Sequence, residues 1–292
     1  LKKIIKFIYK KLPFKKQIYS LIKILWTPPE PVYRHLHFED VFEVSVFGKT
    51  TFKMIHYGSQ FRIENEIFWA GLTNAWEKES FKLWIELCKN SEVILDVGAN
   101  TGIYSLIAKA INPRANVYAF EPVDRVYQKL CENVQINQYD IILSNKAVSN
   151  FSGEAVIYDR PVEHTTSVTV NMKRRESETI VTPIETITLD DFIEQKEFKN
   201  LDLLKIDVET HEPEVMEGFR KYLVHFQPTI LIEILDDSIG RKVEEYVKDL
   251  NYLYFNIDEK GGIRQSEKIV MSDYYNYLLC KIEIAEKLRL IH

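Results

Sequence analysis

The stretch "KIDVETHE", residues 205–212, sets two carboxylates and an imidazole within five positions. Side chains alternate along an extended chain, so Asp207 and Glu209 project to the same side and His211 follows them into the next turn. Such a set can form a general base with an orienting partner, and it can equally ligate a divalent cation. The plainer alternative makes Glu209 a cap of the following helix, with His211 and Glu212 in its exposed first turn. Against that, acids at the end of an apolar strand are costly to keep there without a task. Glu233, in the apolar run "ILIEIL", is a further acid for the same cleft, as a substrate or metal ligand. For a metal, the candidate ligands are Asp207, Glu209 and Glu233.

A second group of residues lies upstream. "ILDVGANTGIYSL", residues 94–106, begins as a buried strand, breaks at Asp96, passes Gly98 and Gly102 and resumes as an apolar helix. The glycines let backbone approach a ligand closely. Their GxxxG spacing differs from the GxGxxG of dinucleotide sites, and Asp96 would repel phosphate but attract a cation. The next strand ends "VYAFEP", with Glu121 at its tip, where an acid accepts hydrogen bonds from ribose hydroxyls. A ribose and a cationic group without phosphate describe S-adenosylmethionine.

These residues need strand ends to hold them, and the pattern supplies those ends. Strands are predicted at 93–97, 116–120, 141–143, 201–208 and 229–234, with helices at 103–110, 123–137, 212–225 and 242–250 between or after them. A helix over 74–90 precedes the set, and "YLYFNID" and "YNYLLCKIEI" supply two final strands. Alternation of this kind implies an α/β fold with a parallel sheet covered on both faces, whose ligands sit at the carboxyl ends of the strands. Residues 38–63 alternate as two or three antiparallel strands. The segment "TPPEP", residues 27–31, cannot continue a helix and marks a boundary. The expected division is a basic arm over 1–30, a small β-rich segment over 31–72 and a ligand-binding domain over 73–292.

Five motifs in order, "DVGANTGIYS", "FEP", "NKAVSN", "TLDDF" and "LLKIDVETHEPEVMEG", resemble the FkbM-type methyltransferases. The resemblance covers residues 76–235. It implies a Rossmann-like seven-strand methyltransferase sheet, with S-adenosylmethionine as methyl donor to an oxygen, often that of a sugar or natural-product hydroxyl. By position it implies that Asp96, Gly98, Asn100 and Gly102 line the methionine end of the cofactor. It places Glu121 on the ribose and Asn145 to Val148 along the adenine. Glu77 matches an acid that reaches the cofactor in relatives; its alternative is an exposed charge on a helix surface. Where relatives often have glycine this chain has Thr210, whose β-branch disfavours left-handed backbone, so the path of the loop carrying His211 is expected to differ.

An alcohol acceptor must lose a proton as it attacks, and this task falls to Asp207, Glu209 or His211. The loop over residues 160–178 is expected to carry specificity, with His164, Thr165 and Thr166 near the acceptor and Lys173, Arg174 and Arg175 attracting an anionic one. A methyltransferase for nitrogen is the first rival; strand four ends "IDVE" and not in the Asn/Asp-Pro-Pro-aromatic element of exocyclic-amine enzymes. A non-sugar acceptor, a non-catalytic cofactor-binding module and a dehydrogenase are the others.

Of the 292 residues 46% are hydrophobic, enough for a sizeable core. Residues 1–29 hold eight lysines and no acid, while the other 30 basic and 43 acidic residues leave the body at −13. An acidic body argues against a nucleic-acid partner. The apolar residues of the arm recur at helical spacing but never reach the roughly 18 that span a bilayer. Two uses stay open for it: lying on an anionic leaflet through residues 1–26, or packing on its own domain or a second subunit. Three dispersed cysteines point to a reducing compartment, so a cytoplasmic protein, peripheral on the inner membrane surface if the arm binds lipid, is expected.

Overall fold

The computed structural model describes residues 13–159 and 180–291. The expected acceptor contacts His164, Thr165, Thr166, Lys173, Arg174 and Arg175, and the first twelve residues of the arm, lie outside the described residues. Helices α1 (Lys15–Leu25) and α2 (Glu30–Tyr33) lead to an antiparallel hairpin of β1 (Glu39–Phe47) and β2 (Thr50–Tyr57). Then come α3 (Arg62–Ala70), α4 (Lys78–Cys88), β3 (Val93–Val97), α5 (Ile103–Ile111), β4 (Asn116–Phe120), α6 (Asp124–Asn137) and β5 (Ile142–Ser144). A separate three-stranded sheet contains β6 (Ala147–Val148), β7 (Gly153–Asp159) and β8 (Ile180–Ile187). The remainder is α7 (Leu189–Gln195), β9 (Leu203–Ile206), α8 (Glu212–Glu217), α9 (Arg220–Phe226), β10 (Thr229–Glu233), α10 (Asp237–Val247), β11 (Leu253–Asp258), β12 (Gly262–Ser266), β13 (Asn276–Cys280) and α11 (Ile282–Lys287).

The main sheet has the order β12-β11-β13-β10-β9-β3-β4-β5. The five strands from β5 to β10 are mutually parallel, and β13 is inserted antiparallel beside β10. Seven of the strands make the expected Rossmann-like methyltransferase sheet, and β12 adds an eighth at the edge. Chain order departs in opposite directions from β3 toward β4 and β9, so the crevice at which such sheets bind ligands lies above their carboxyl ends.

Periodicity explains the two cores. On β3, Ile94 faces one side while Val93, Leu95 and Val97 face the other. The first face packs on α5 through Leu106 and Ile107 and, beyond it, on hairpin residues Phe42 and Met54 and on Phe68 and Trp69 of α3. The second packs on Phe120, Phe192, Met216, Phe219 and Val243.

Several elements differ from expectation. Residues 62–70, in the segment read as β-rich, form helix α3, whose Ile67, Phe68 and Trp69 are buried. The helix expected over 212–225 breaks in two at Gly218, where a Cβ would lie 2.1 Å from the Ser149 carbonyl oxygen. Helix α10 starts five residues early because the Asp236 carboxylate accepts from the Ser238 and Ile239 amides. The last strand stops at Cys280, and "IEI" continues as α11. Helix α7, not anticipated, is capped by the Thr188 side chain, which accepts from the Asp191 amide.

Candidate active site

A cavity of about 310 Å³ opens above the carboxyl ends of β3, β4, β9 and β10. Glu77, Gly98, Asn100, Glu121, Asp207, Glu209, His211 and Glu233 all line it. Strand geometry sets the first of these contacts. Gly98 follows β3 with φ +80°, and a Cβ there would lie 1.8 Å from the Asp207 carbonyl oxygen, so only glycine lets these two strand ends converge. Asn100 also takes a left-handed φ of 51°. Its amide donates to Glu121 Oε2 at 3.1 Å, and the Val123 amide donates to Oε1 at 2.9 Å. Burial pushes the Glu121 carboxyl up to about 7, against the pull of these two amides.

Three expected cofactor contacts stand behind the cavity wall. Asp96 is fully buried and accepts from Ser105 Oγ at 2.6 Å. Its residue parity on β3 points it toward α5 instead of the crevice. Gly102 packs against Leu130 at the start of α5. Asn145 donates to the Glu121 carbonyl at 2.9 Å, steadying the β4 turn and touching no cavity surface. None of the three is on the cavity wall of the cofactor-free protein, and Asn145 steadies Glu121, which is.

Glu77 is not a surface charge. It accepts from Tyr104 Oη at 2.9 Å and from Asn276 Nδ2 at 2.9 Å, and burial followed by the nearby Asp207 charge pushes it up to about 7. Lys205, two residues before Asp207 on the same side of β9, was missed among the functional residues. It is 4% exposed, its ammonium lies 3.0 Å from Asp207 Oδ2, and it sits 4.4 Å from the centre of the Tyr104 ring. Burial alone would lower its proton affinity, but Asp207, Asp96 and Glu77 outweigh that and raise it. The sequence signal was available: a lysine inside the apolar run "LLKI" must have a charged partner. Arg62, Glu66 and Trp76, from α3 and the loop after it, were also missed; they line the same cavity from outside the motif region.

The loop after β9 keeps left-handed backbone despite its side chains, with φ of 53° at Glu209 and 82° at Thr210. Backbone strain is thus carried at Thr210, as is common where a loop must present functional groups. His211 is buried, with Nε2 3.0 Å from Ser149 Oγ and Nδ1 3.5 Å from Glu214. Burial lowers its proton affinity, against the opposing pull of the Glu214 carboxylate. Glu212 is wholly buried and accepts from the Val208 amide at 3.1 Å, which removes the reading of an exposed first turn. Burial, then the charges of Asp207, Glu209, Glu212 and Glu77, push Glu233 up to about 10. Among the described residues no three His, Cys, Asp or Glu side chains are grouped to hold a metal ion. Asp207, Glu209 and Glu233 thus do not assemble as a metal site, and Lys205 occupies one Asp207 oxygen.

Residues 96–254 match the family model described as the methyltransferase FkbM domain, more than half of the chain. The chain belongs to the FkbM methyltransferase family. Among the relatives of this FkbM methyltransferase, the hexuronic acid methyltransferase AglP of Haloferax volcanii is 28% identical over 181 residues, covering 61% of this chain and 71% of that one. Methyltransferase sdnD of Sordaria araneosa is 25% identical over 192 residues, covering 54% and 73%. Among solved structures, an FkbM methyltransferase from Methylobacillus flagellatus aligns with a TM-score of 0.41 and 14% identity over 65% of this chain and 43% of that one.

The cofactor of this FkbM methyltransferase is S-adenosylmethionine. The cavity residues fit it. Glu121, with each oxygen held by one amide, retains lone pairs for two hydroxyls. Phe120, Val123, Val126, Ala147, Val148 and Ile157 form an apolar wall suited to a purine. Glu77 and Glu233, acids on the cavity wall whose proton affinity is raised chiefly by burial, are suited to a sulfonium and an ammonium group.

Proposed function

We propose that the chain transfers a methyl group to a hydroxyl of a sugar, as part of a glycan or a glycosylated metabolite. The observation that carries this reading is that one cavity joins Glu121, suited to a ribose, to Asp207, Glu209 and the buried His211. The sugar class is supported by the similarity to a hexuronic acid methyltransferase. Action in the cytoplasm is part of the reading, in keeping with Cys88, Cys131 and Cys280 all being free thiols.

Bound here, S-adenosylmethionine supplies a methyl carbon already activated by its sulfonium, so the protein's work is to align and deprotonate the acceptor. Glu121 with the turn at Gly98 and Asn100 holds the donor. Asp207 and Glu209, on the cavity wall after β9, orient the acceptor hydroxyl and accept its proton, while His211, held between Ser149 at Nε2 and Glu214 at Nδ1, fixes the loop that carries them. A base in this role contributes roughly 10²- to 10⁴-fold. Glu233, protonated in the free protein, can donate a hydrogen bond to a sugar oxygen.

The test is transfer of radiolabelled methyl from S-adenosylmethionine to hexuronic acids and neutral hexoses, free and as glycosides. Label should enter sugar, and Asp207→Asn should remove it while S-adenosylhomocysteine still binds. Label entering phenols or amines but no sugar would overturn the proposed acceptor class.

A further inference from the structure

We propose that α1 docks on the surface of an anionic lipid bilayer through its outward apolar stripe. The inner face of this helix is already used: Tyr19 is buried in the core and Ile22 packs against it. Lys16 pairs with Asp40 at 3.2 Å, and the Lys23 ammonium donates to the Phe68 carbonyl. Packing on its own body therefore holds the helix, yet it leaves the opposite face uncovered. There Phe14, Ile18, Leu21 and Leu25 succeed one another at steps of four, three and four residues, which makes a single stripe. Ile24 and Trp26 flank it. Their exposures are 72, 40, 64 and 87% along the stripe and 79 and 59% for the flanking pair. Six large apolar side chains open to water within thirteen residues form a patch that calls for a cover.

Charge selects the cover. The first 29 residues carry eight lysines and no acid, whereas the rest of the chain is strongly acidic. An anionic leaflet attracts such an arm at about 1 kcal/mol for each lysine near the surface and repels the body behind it. A second copy would bring two arms of +8 together, which is unfavourable. At eleven residues α1 lies in the interface and does not cross it, and among the described residues no helix is long and apolar enough to span a membrane. The aromatic Trp26 at the end of the helix suits the headgroup level. Beyond the proline break, Glu30 of α2 approaches Arg62 Nη2 at 3.4 Å, and Arg62 lines the cavity, so the helix that follows the docked segment reaches the active-site rim.

The test is co-sedimentation of the full chain with vesicles of phosphatidylcholine, alone and with about one third phosphatidylglycerol, at low and high salt. Binding should require phosphatidylglycerol and weaken in salt. Leu21→Glu and Leu25→Glu, both at exposed positions, should each lower the partition coefficient roughly tenfold or more without changing S-adenosylhomocysteine affinity or the melting temperature. Absence of binding to phosphatidylglycerol vesicles would overturn the proposal. So would a concentration-dependent dimer in sedimentation velocity that the same two substitutions abolish, since the stripe would then be covered by a second copy. Because cofactor affinity is read separately, neither result bears on the methyltransferase assignment.

Discussion

The Lys205 ammonium lies 3.0 Å from the Asp207 carboxylate, inside a shell that also contains Asp96, Glu77 and the Tyr104 ring. One cation thus compensates three acids at the carboxyl ends of the paired strands β3 and β9. Removing it would leave buried carboxylates facing one another. Lys205→Met should cost about 3–5 kcal/mol of stability, the penalty for breaking a buried pair from one side. Urea unfolding checks this, and pairing the change with Asp207→Asn should recover part of the loss. A cost under about 1 kcal/mol would show that the network is not electrostatically coupled.

Glu121 accepts two backbone amides and still has lone pairs toward the cavity. Glu121→Ala should weaken S-adenosylhomocysteine binding by about 1.5–3 kcal/mol, roughly ten- to a hundredfold. Calorimetric titration measures it directly; unchanged affinity would remove Glu121 from the ribose.

Thr210 is held at φ 82°, a conformation that β-branched residues avoid. Thr210→Gly relieves that strain, and the gain exceeds the added flexibility of the unfolded chain. The variant should be more stable by about 1 kcal/mol in chemical denaturation. A loss of stability would mean that the Thr210 side chain contributes more to the loop than its backbone costs.

Glu233 retains its proton to about pH 10 in the folded chain, chiefly because it is buried, while a carboxyl in the unfolded chain ionises near 4.5. Between these values the folded state binds a proton that the unfolded state has released. Stability contributed below pH 4.5 is therefore lost progressively as pH rises. Glu233→Gln, which cannot ionise, should raise the melting temperature of the cofactor-free protein by an amount that grows from pH 5 to pH 8. A pH-independent difference would contradict the burial of an ionisable group there.

The parallel strands and their glycine turn were legible because local periodicity reports burial: "VILDV" is apolar on both faces, and a strand buried on both faces must look so. Glu121 and Asp207 were legible for the same reason, as charges placed where apolar runs end. Helix α3 was not, since "RIENEIFWA" carries three acids or amides on positions that are nonetheless buried, and tertiary contacts override such a pattern.

By itself, then, the sequence determined the α/β alternation, the methyltransferase family and the acids at the strand ends, all of which depend on neighbours a few residues apart. Only the tertiary structure decided which acids reach the cavity. Asp96, one position from a cavity-lining residue, faces away into a hydrogen bond with Ser105, while Glu77, far from the motif strands, is drawn in by Tyr104 and Asn276. It also decided that Lys205 holds this cluster together and that Arg62, Glu66 and Trp76 complete the wall. Those roles arise from groups distant in sequence meeting in a medium of low polarity, where each charge is set by whatever packing places beside it.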